Sequence, residues 1–424
     1  MSARMGIKIE IISIGNELIN GRVSDQNAGY AAARLHSLGF EVPRIIFIGD
    51  QERIIRFTLK EALKRSDVVL VSGGLGYTLD DITVEAAAKA FGRPLVLNRE
   101  LQGQIRSYLT KQNIPREALF EKIAWLPQGS ELLHPRPKAC GFRLDEKGKP
   151  LFFLPGIPAE MRRILNRQVI PYLLHGYSGQ KVIRQRVYHI FGLMEPEINA
   201  RVRDLETKFD SLRLGFYPDF PENQLTVSLS AEKTREAERR LDAVEQMVEK
   251  RLSDYITSKD GQTLEEVVGD GLLQKKLTLS VAESCTGGLI GHRITAVPGS
   301  SDYFERSLVV YSNKAKKELL AVPPAVLSRH GAVSQKTAHF MAEGVRKKSH
   351  TDLGLAVTGI AGPGGGTPEK PVGTVWIGLS SSRGCKTGNF HFHGSRTQIK
   401  VLSAHTALNW VRKYLLDDTF LFSR

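Results

Sequence analysis

Cysteine is scarce in this chain: three residues in 424, Cys140, Cys285 and Cys385, far apart and odd in number. Such a set fits neither a disulfide framework nor a zinc ligand group and points to a reducing compartment. Long apolar runs are missing as well. No segment reaches the ~18 uninterrupted apolar residues that a membrane span needs, and the N-terminus has no apolar run followed by a small-residue cleavage site. The expectation is a cytoplasmic protein that does not engage membranes. Positive charge is abundant, with a formal net charge of +14, but no concentrated basic stripe with interleaved aromatic residues occurs. The tightest groups, Lys314 to Lys317 and Arg346-Lys347-Lys348, are short. Dispersed charge of this kind suits anionic small molecules at least as well as a nucleic-acid backbone.

What is present alternates. Over residues 1–174, β-rich runs (Ile7 to Ile14, Val42 to Ile48, Val68 to Ser72) are interleaved with amphipathic runs (Gln26 to Leu38, Glu52 to Arg65), closing with a helix from Pro158 to Leu174. This pattern predicts an α/β layer with a mostly parallel sheet and ligand-bearing loops at the strand C-terminal ends. Residues 180–256 read as a small α+β module, with strands Lys181 to Phe191 and Leu225 to Ala231. In its long helix Ala237, Leu241, Val244, Val248 and Leu252 recur at helical spacing. Thr257 to Gln262 reads as a linker. Residues 263–424 form a second α/β segment, with strands Leu277 to Ala282, Leu308 to Tyr311, Leu353 to Thr358, Gly373 to Ser380 and Gly388 to Phe392, and a closing helix from Ser395.

The third segment carries the chemistry. Glu283-Ser284-Cys285-Thr286-Gly287-Gly288 is a glycine-rich turn from an apolar strand into a helix, where hydroxyls lie beside N–H groups that can stabilise an oxyanion or phosphate. A second glycine loop, Thr358-Gly359-Ile360-Ala361-Gly362-Pro363, leaves another strand. Two such turns suit a substrate with both a phosphate and a reacting carbonyl. Spacing does not choose among Ser284, Cys285 and Thr286 as nucleophile, and the triplet also reads as a plain helix cap. Lys316 serves as a base only if burial or a nearby cation lowers its pKa. Tyr311 and Arg396 complete the set, Arg396 as that cation or as a substrate clamp.

These motifs, together with Val297-Pro298-Gly299-Ser300-Ser301, Tyr311-Ser312-Asn313, His330-Gly331-Ala332-Val333-Ser334 and Pro371-Val372-Gly373-Thr374-Val375, resemble the C-terminal domain of the CinA family, the nicotinamide mononucleotide (NMN) deamidases. The resemblance implies hydrolysis of NMN to nicotinic acid mononucleotide and ammonia, with Ser284 as nucleophile, Lys316 as general base, Tyr311 as relay and Arg396 as a further active-site residue. It assigns Cys285, Thr286, Gly287, Gly288, Asn313, Thr358, Gly359 and Gly362 to substrate binding. No cofactor is implied for deamidation, and a homodimer is.

In the first segment, Val71-Ser72-Gly73-Gly74-Leu75-Gly76-Tyr77-Thr78-Leu79-Asp80-Asp81 joins a strand, a glycine turn and two carboxylates. Glycines let backbone approach a phosphate, and paired aspartates can hold a divalent metal or cap the next helix. With Ile14-Gly15-Asn16-Glu17, Gly49-Asp50 and Leu154-Pro155-Gly156, the segment resembles a molybdopterin-binding fold and, more closely, the N-terminal domain of the same family. The middle module resembles that family's KH-like domain. The fold class expected is therefore an N-terminal molybdopterin-binding-like α/β domain, a small α+β KH-like domain and a C-terminal α/β deamidase domain. For the N-terminal part the resemblance implies metal-dependent ADP-ribose pyrophosphatase activity in some members. The nucleotide site would comprise Gly73, Gly74, Gly76, Thr78 and Asp50, with Asp80, Asp81 and Glu17 on the metal. Asn16, Tyr77, Leu79, Pro137 and Lys138 depart from the family pattern. Two alternatives remain: a competence-associated nucleic-acid binder, or a deamidase whose N-terminal domain is a regulatory nucleotide binder. Against the first, the middle segment's Gly-x-x-Gly, Gly176 to Gly179, precedes a strand instead of joining two helices.

Overall fold

The structure, a computed structural model, describes residues 7–113, 121–133, 140–177 and 182–422. By compactness the chain divides into Met1–Gln185 with Leu229–Leu241, and Arg186–Ser228 with Asp242–Arg424. Among the described residues no helix is long and apolar enough to cross a membrane.

The N-terminal strands are β1 (Lys8–Ile14), β2 (Glu41–Ile48), β3 (Val68–Ser72), β4 (Leu95–Leu97), β5 (Trp125–Pro127), β6 (Glu131–Leu133), β7 (Gly141–Glu146) and β8 (Lys149–Leu154). Six form one sheet in the order β2-β1-β3-β8-β7-β6, and β4 pairs with β5 in a separate ribbon. β1 runs parallel to both β2 and β3, and β3 to β8. Alternate residues serve the two faces, as the pleat requires. Ile12, Ile14, Val69, Val71 and Phe153 pack under helices Glu52–Arg65 and Thr83–Phe91. Ile9, Ile11, Val68, Leu70 and Phe152 pack under helices Asn27–His36 and Pro158–Ile164. Burying both faces makes these strands read as continuous apolar runs, each large side chain contributing about 1.5–3 kcal/mol.

The middle sheet takes the order β10-β11-β9-β12, from β9 (Val182–Ile190), β10 (Leu212–Asp219), β11 (Glu222–Ala231) and β12 (Ile256–Lys259). Two of these differ from expectation. Leu212–Asp219 has a largely exposed pattern that hides its period. Ile256–Lys259, in the stretch that composition marks as linker, is a strand antiparallel to β9, with Ser258 opposite His189. Main-chain pairing, which its short polar sequence does not advertise, decides its state.

The C-terminal sheet orders β14-β13-β15-β16-β17, from β13 (Leu279–Glu283), β14 (Phe304–Val309), β15 (Leu353–Gly359), β16 (Thr374–Ser381) and β17 (Gly384–His391). β14 begins four residues before the expected Leu308 and ends before Tyr311, because Glu305 and Arg306 on this edge strand are exposed and break the apolar run. Val281, Leu355 and Ile377 face helices Leu264–Lys275, Leu289–Thr295 and Arg396–Leu416. Ala282 and Ala356 face helices Asn313–Leu320, Pro324–His330 and Gln335–Ser349. Helix Gln335–Ser349 lies so close that a Cβ on Gly354 would stand 2.3 Å from the Ala342 carbonyl oxygen.

Candidate active site

β13 is flanked by two parallel partners, β14 and β15. The chain leaves it toward β14 and crosses back to β15, so a crevice opens at its carboxyl end, where open α/β sheets bind ligands. Ser284 stands there. Its N–H donates to the Val357 carbonyl at 2.9 Å, after which Gly287 (φ +62) and Gly288 (φ +93) take left-handed conformations that turn the chain into helix Leu289–Thr295.

Glu283, wholly buried, determines what this turn can offer. Its carboxylate accepts the N–H groups of Gly288 (2.9 Å), Ile290 (3.1 Å) and Gly291 (2.9 Å) and the Ser307 hydroxyl (2.8 Å). The helix-terminal donors expected to face substrate are thus taken by the chain's own carboxylate. Thr286 and Gly287 are the turn residues whose N–H groups meet no protein acceptor among the described residues. The sequence held a signal for this: a carboxylate closing a buried strand must find donors.

Lys316 reaches the same point from helix Asn313–Leu320, whose N-cap Ser312 accepts the Ala315 N–H at 3.0 Å. It is 1 % exposed. Its Nζ lies 3.0 Å from Ser284 Oγ, 2.8 Å from the Val310 carbonyl and 3.2 Å from the Tyr311 carbonyl. Burial pulls its pKa from 10.5 down to about 8. A neutral amine has two hydrogens and one lone pair. Two carbonyls accept the hydrogens, and the lone pair is left for the Ser284 O–H.

Tyr311 is 62 % exposed, and its hydroxyl accepts from Arg396 Nη2 at 3.1 Å while Arg396 Nη1 donates to the Gly362 carbonyl at 2.6 Å. Arg396 therefore ties Tyr311 to the second glycine loop. Among the described residues no hydrogen bond joins the Tyr311 hydroxyl to Ser284 or Lys316. Cys285 is buried, its thiol pushed up to about 12 by burial, and a Cβ on Gly359 would stand 3.1 Å from its Sγ. Thr358 is also buried, its hydroxyl donating to the Ala332 carbonyl at 2.8 Å. Thr286 is fully enclosed with its hydroxyl unpartnered among the described residues. Asn313 is exposed at its helix start. One cation absent from the expected set, Lys400, lies over the turn, its Nζ 3.7 Å from where a Cβ on Gly287 would be. Its signal is the i, i+4 spacing from Arg396.

The carboxyl ends of β1, β2, β3 and β8 surround a second site, a cavity of about 520 Å³ lined by Asn16, Glu17, Asp50, Gly74, Asp80 and Asp81 among others. Gly73, with φ +106, presses so close to β1 that a Cβ would stand 2.1 Å from the Ile14 carbonyl oxygen. Asp50 and Asn16 clasp each other: the Asn16 N–H donates to Asp50 Oδ2 at 2.8 Å, and the Asp50 N–H to Asn16 Oδ1 at 3.2 Å. Burial, with the charges of Glu17, Asp80 and Asp81 nearby, raises the Asp50 pKa although the Asn16 N–H opposes it. Asp81 Oδ2 accepts the N–H (2.9 Å) and hydroxyl (2.5 Å) of Thr78, so one expected metal ligand caps its own loop. Lys122, absent from the expected set, donates to the Thr78 and Asp81 carbonyls and pins the loop from outside. Among the described residues no group of three or more His, Cys, Asp or Glu converges as metal ligands do. Asp80, Asp81 and Glu17 as placed do not make a metal site by themselves.

Three family profiles match this chain: "Probable molybdopterin binding domain" over residues 10–175, "Damage-inducible protein CinA KH domain" over 185–257, and "CinA C-terminal domain" over 261–415. A CinA-like protein of Desulfotalea psychrophila is 42% identical over 411 residues, 97% of this chain and 99% of its own length. The chain belongs to the CinA family. A second CinA-like protein, from Geobacter sulfurreducens, is 43% identical over 411 residues, 97% of this chain and 100% of its own. Among solved structures, the competence/damage inducible protein CihA from Agrobacterium tumefaciens is 39% identical, covering 36% of this chain and 95% of its own, with a TM-score of 0.35. Of the residues expected to depart from the family pattern, Asn16 forms the Asp50 clasp, and Tyr77 and Leu79 are exposed. Pro137, Lys138 and Gly179 lie outside the described residues.

Proposed function

We propose that this protein hydrolyses the carboxamide of NMN to nicotinic acid mononucleotide and ammonia through an acyl-enzyme on Ser284. The observation that carries the reading is a buried amine, drawn toward neutrality, 3.0 Å from a serine hydroxyl. Ser284 Oγ attacks the amide carbon as its proton passes to the neutral Lys316 Nζ. The oxygen that takes up the negative charge faces the N–H groups of Thr286 and Gly287. Lys316 then gives the proton to the amide nitrogen, the C–N bond breaks and ammonia leaves. Water attacks the ester carbon, Lys316 accepts its proton, and Ser284 Oγ departs with that proton restored. Arg396 holds Tyr311 and the Gly362 loop as one wall of the crevice, so their part is to position the substrate. Purified full-length protein incubated with NMN should release ammonia. If folded Ser284→Ala and Lys316→Ala variants do so at the parent rate, the reading fails.

A second reading concerns the N-terminal cavity, which we assign to a phosphorylated nucleotide such as ADP-ribose. Asn27 Oδ1 and Glu160 Oε2, from residues lining it, are buried acceptors without hydrogen-bond partners among the described residues, and they call for donors such as the hydroxyls of a ribose, leaving the phosphates to the glycine turn. Incubation with ADP-ribose and a divalent salt, followed by chromatography for AMP, separates a hydrolase from a binder. Absence of both AMP and measurable binding refutes the assignment. We take the working assembly to be a homodimer, which sedimentation as a monomer would refute.

A further inference from the structure

The turn at Ser284 has more positive charge than its chemistry consumes. Lys316 must be neutral to act as a base, and Arg396, though its charge is also unpaired by any carboxylate among the described residues, is held in place by one N–H of each terminal nitrogen on Tyr311 and the Gly362 carbonyl. Lys400 is different. It follows Arg396 by four residues, so both project from one face of helix Arg396–Leu416. Its ammonium is close enough to the exposed Gly287 to stand over the nucleophile's turn. It forms no ion pair or hydrogen bond among the described residues. The nearest acid in sequence to the nucleophile, Glu283, points into the protein with both oxygens taken by four donors and cannot neutralise it. The charge of Lys400 also reaches Cys285, whose thiol it acts to lower against the larger effect of burial.

We infer that Lys400 is the anchor for the phosphate monoester of the substrate, holding a nucleotide by its anionic end while the carboxamide reaches Ser284. An ammonium with three free donors on a flexible stem suits a phosphate dianion as a point charge. The inference rests on the deamidase reading and deepens it: Lys400 makes the enzyme select nucleotides over nucleosides. It is a specificity residue, remote from the proton transfers that Lys316 performs.

The test compares full-length wild type, Lys400→Met and Lys400→Arg on NMN and on nicotinamide riboside, which lacks the phosphate. Lys400→Met should raise KM for NMN about tenfold, leave kcat within about threefold and leave kcat/KM for the riboside unchanged, with Lys400→Arg recovering most of the loss. An unchanged KM, a fall in kcat alone, or a parallel fall for the riboside would overturn the assignment. A second readout is independent of deamidation: ribose 5-phosphate should slow labelling of Ser284 by a sulfonyl fluoride, followed by intact mass, in wild type. Lys400→Met should need about tenfold more of it. Equal protection of both proteins refutes the anchor. If NMN yields no ammonia yet protection depends on Lys400, the deamidase reading falls and the phosphate site stands.

Discussion

Between pH 6 and pH 9.5 the Lys316 amine changes state in place, and the rate must follow it. At its ordinary pKa of 10.5, about 0.03 % of a lysine is neutral at pH 7; with burial lowering it to about 8, roughly one tenth is. Desolvation therefore raises the reactive fraction some ~300-fold, equivalent to about 3 kcal/mol. The expected profile of log(kcat/KM) for NMN rises with unit slope and levels off above about pH 8. Folding stability carries the same signature with a definite sign. Between pH 8 and 10.5 the unfolded chain holds a proton that the native Lys316 has released, so stability rises with pH across that window, by about 3 kcal/mol if no other group intervenes. Below pH 8 both states are protonated and the burial cost is borne in full. Urea unfolding from pH 7 to 10 should therefore show the gap between Lys316→Met and wild type shifting in favour of wild type as pH rises. Lys316→Arg, permanently charged, should lose at least about a thousandfold in kcat/KM. A rate flat from pH 6 to 9, a midpoint above 10, or an arginine variant within tenfold of wild type would refute the reasoning.

Glu283→Gln puts an amide where four donors converge and should destabilise the C-terminal segment by about 2–3 kcal/mol in urea titration; a loss below about 0.5 kcal/mol would show that the cap is dispensable. Cys285→Ala should keep kcat within about threefold, and wild-type Cys285 should resist thiol reagents at pH 7, because a thiol pushed up to about 12 is inert; a hundredfold loss in the variant would return Cys285 to the list of nucleophiles. Gly73→Ala forces a Cβ into the Ile14 carbonyl, and should abolish nucleotide binding by the N-terminal cavity, measured by calorimetry, while ammonia release from NMN continues.

The strands β1, β3, β13 and β15 were legible in the sequence because they are buried on two faces and stand out as apolar runs between amphipathic helices, and the edge strand β2 because Val42 to Ile48 is mostly apolar. The buried β8, its hairpin partner β7 and several short polar strands were not. Leu212–Asp219 and Ile256–Lys259 owe their state to main-chain pairing, and Glu305 and Arg306 mask the start of β14. Residue types at the candidate site could be read, since Ser284 and Tyr311 lie at recognisable strand ends and Lys316 and Arg396 in the first turns of the helices that follow such loops. What they do to each other could not. The removal of helix-terminal donors by Glu283, the pairing of Arg396 with Tyr311, and the position of Lys400 over Gly287 depend on contacts across the sheet or between distant loops. A carboxylate or an ammonium has no local pattern that announces which of these it will make.

The two acceptors that hold Lys316, besides the serine, are main-chain carbonyls at Val310 and Tyr311. No side-chain substitution can delete them. The basicity of this amine is consequently sheltered from most single mutations: only a change at Lys316 itself, or a repacking of the apolar wall that keeps water out, can retune it. A family that varies its substrate end by exchanging surface cations could do so without disturbing the base, and directed evolution of this crevice toward other carboxamides should find specificity easy to move and the pH optimum hard to shift.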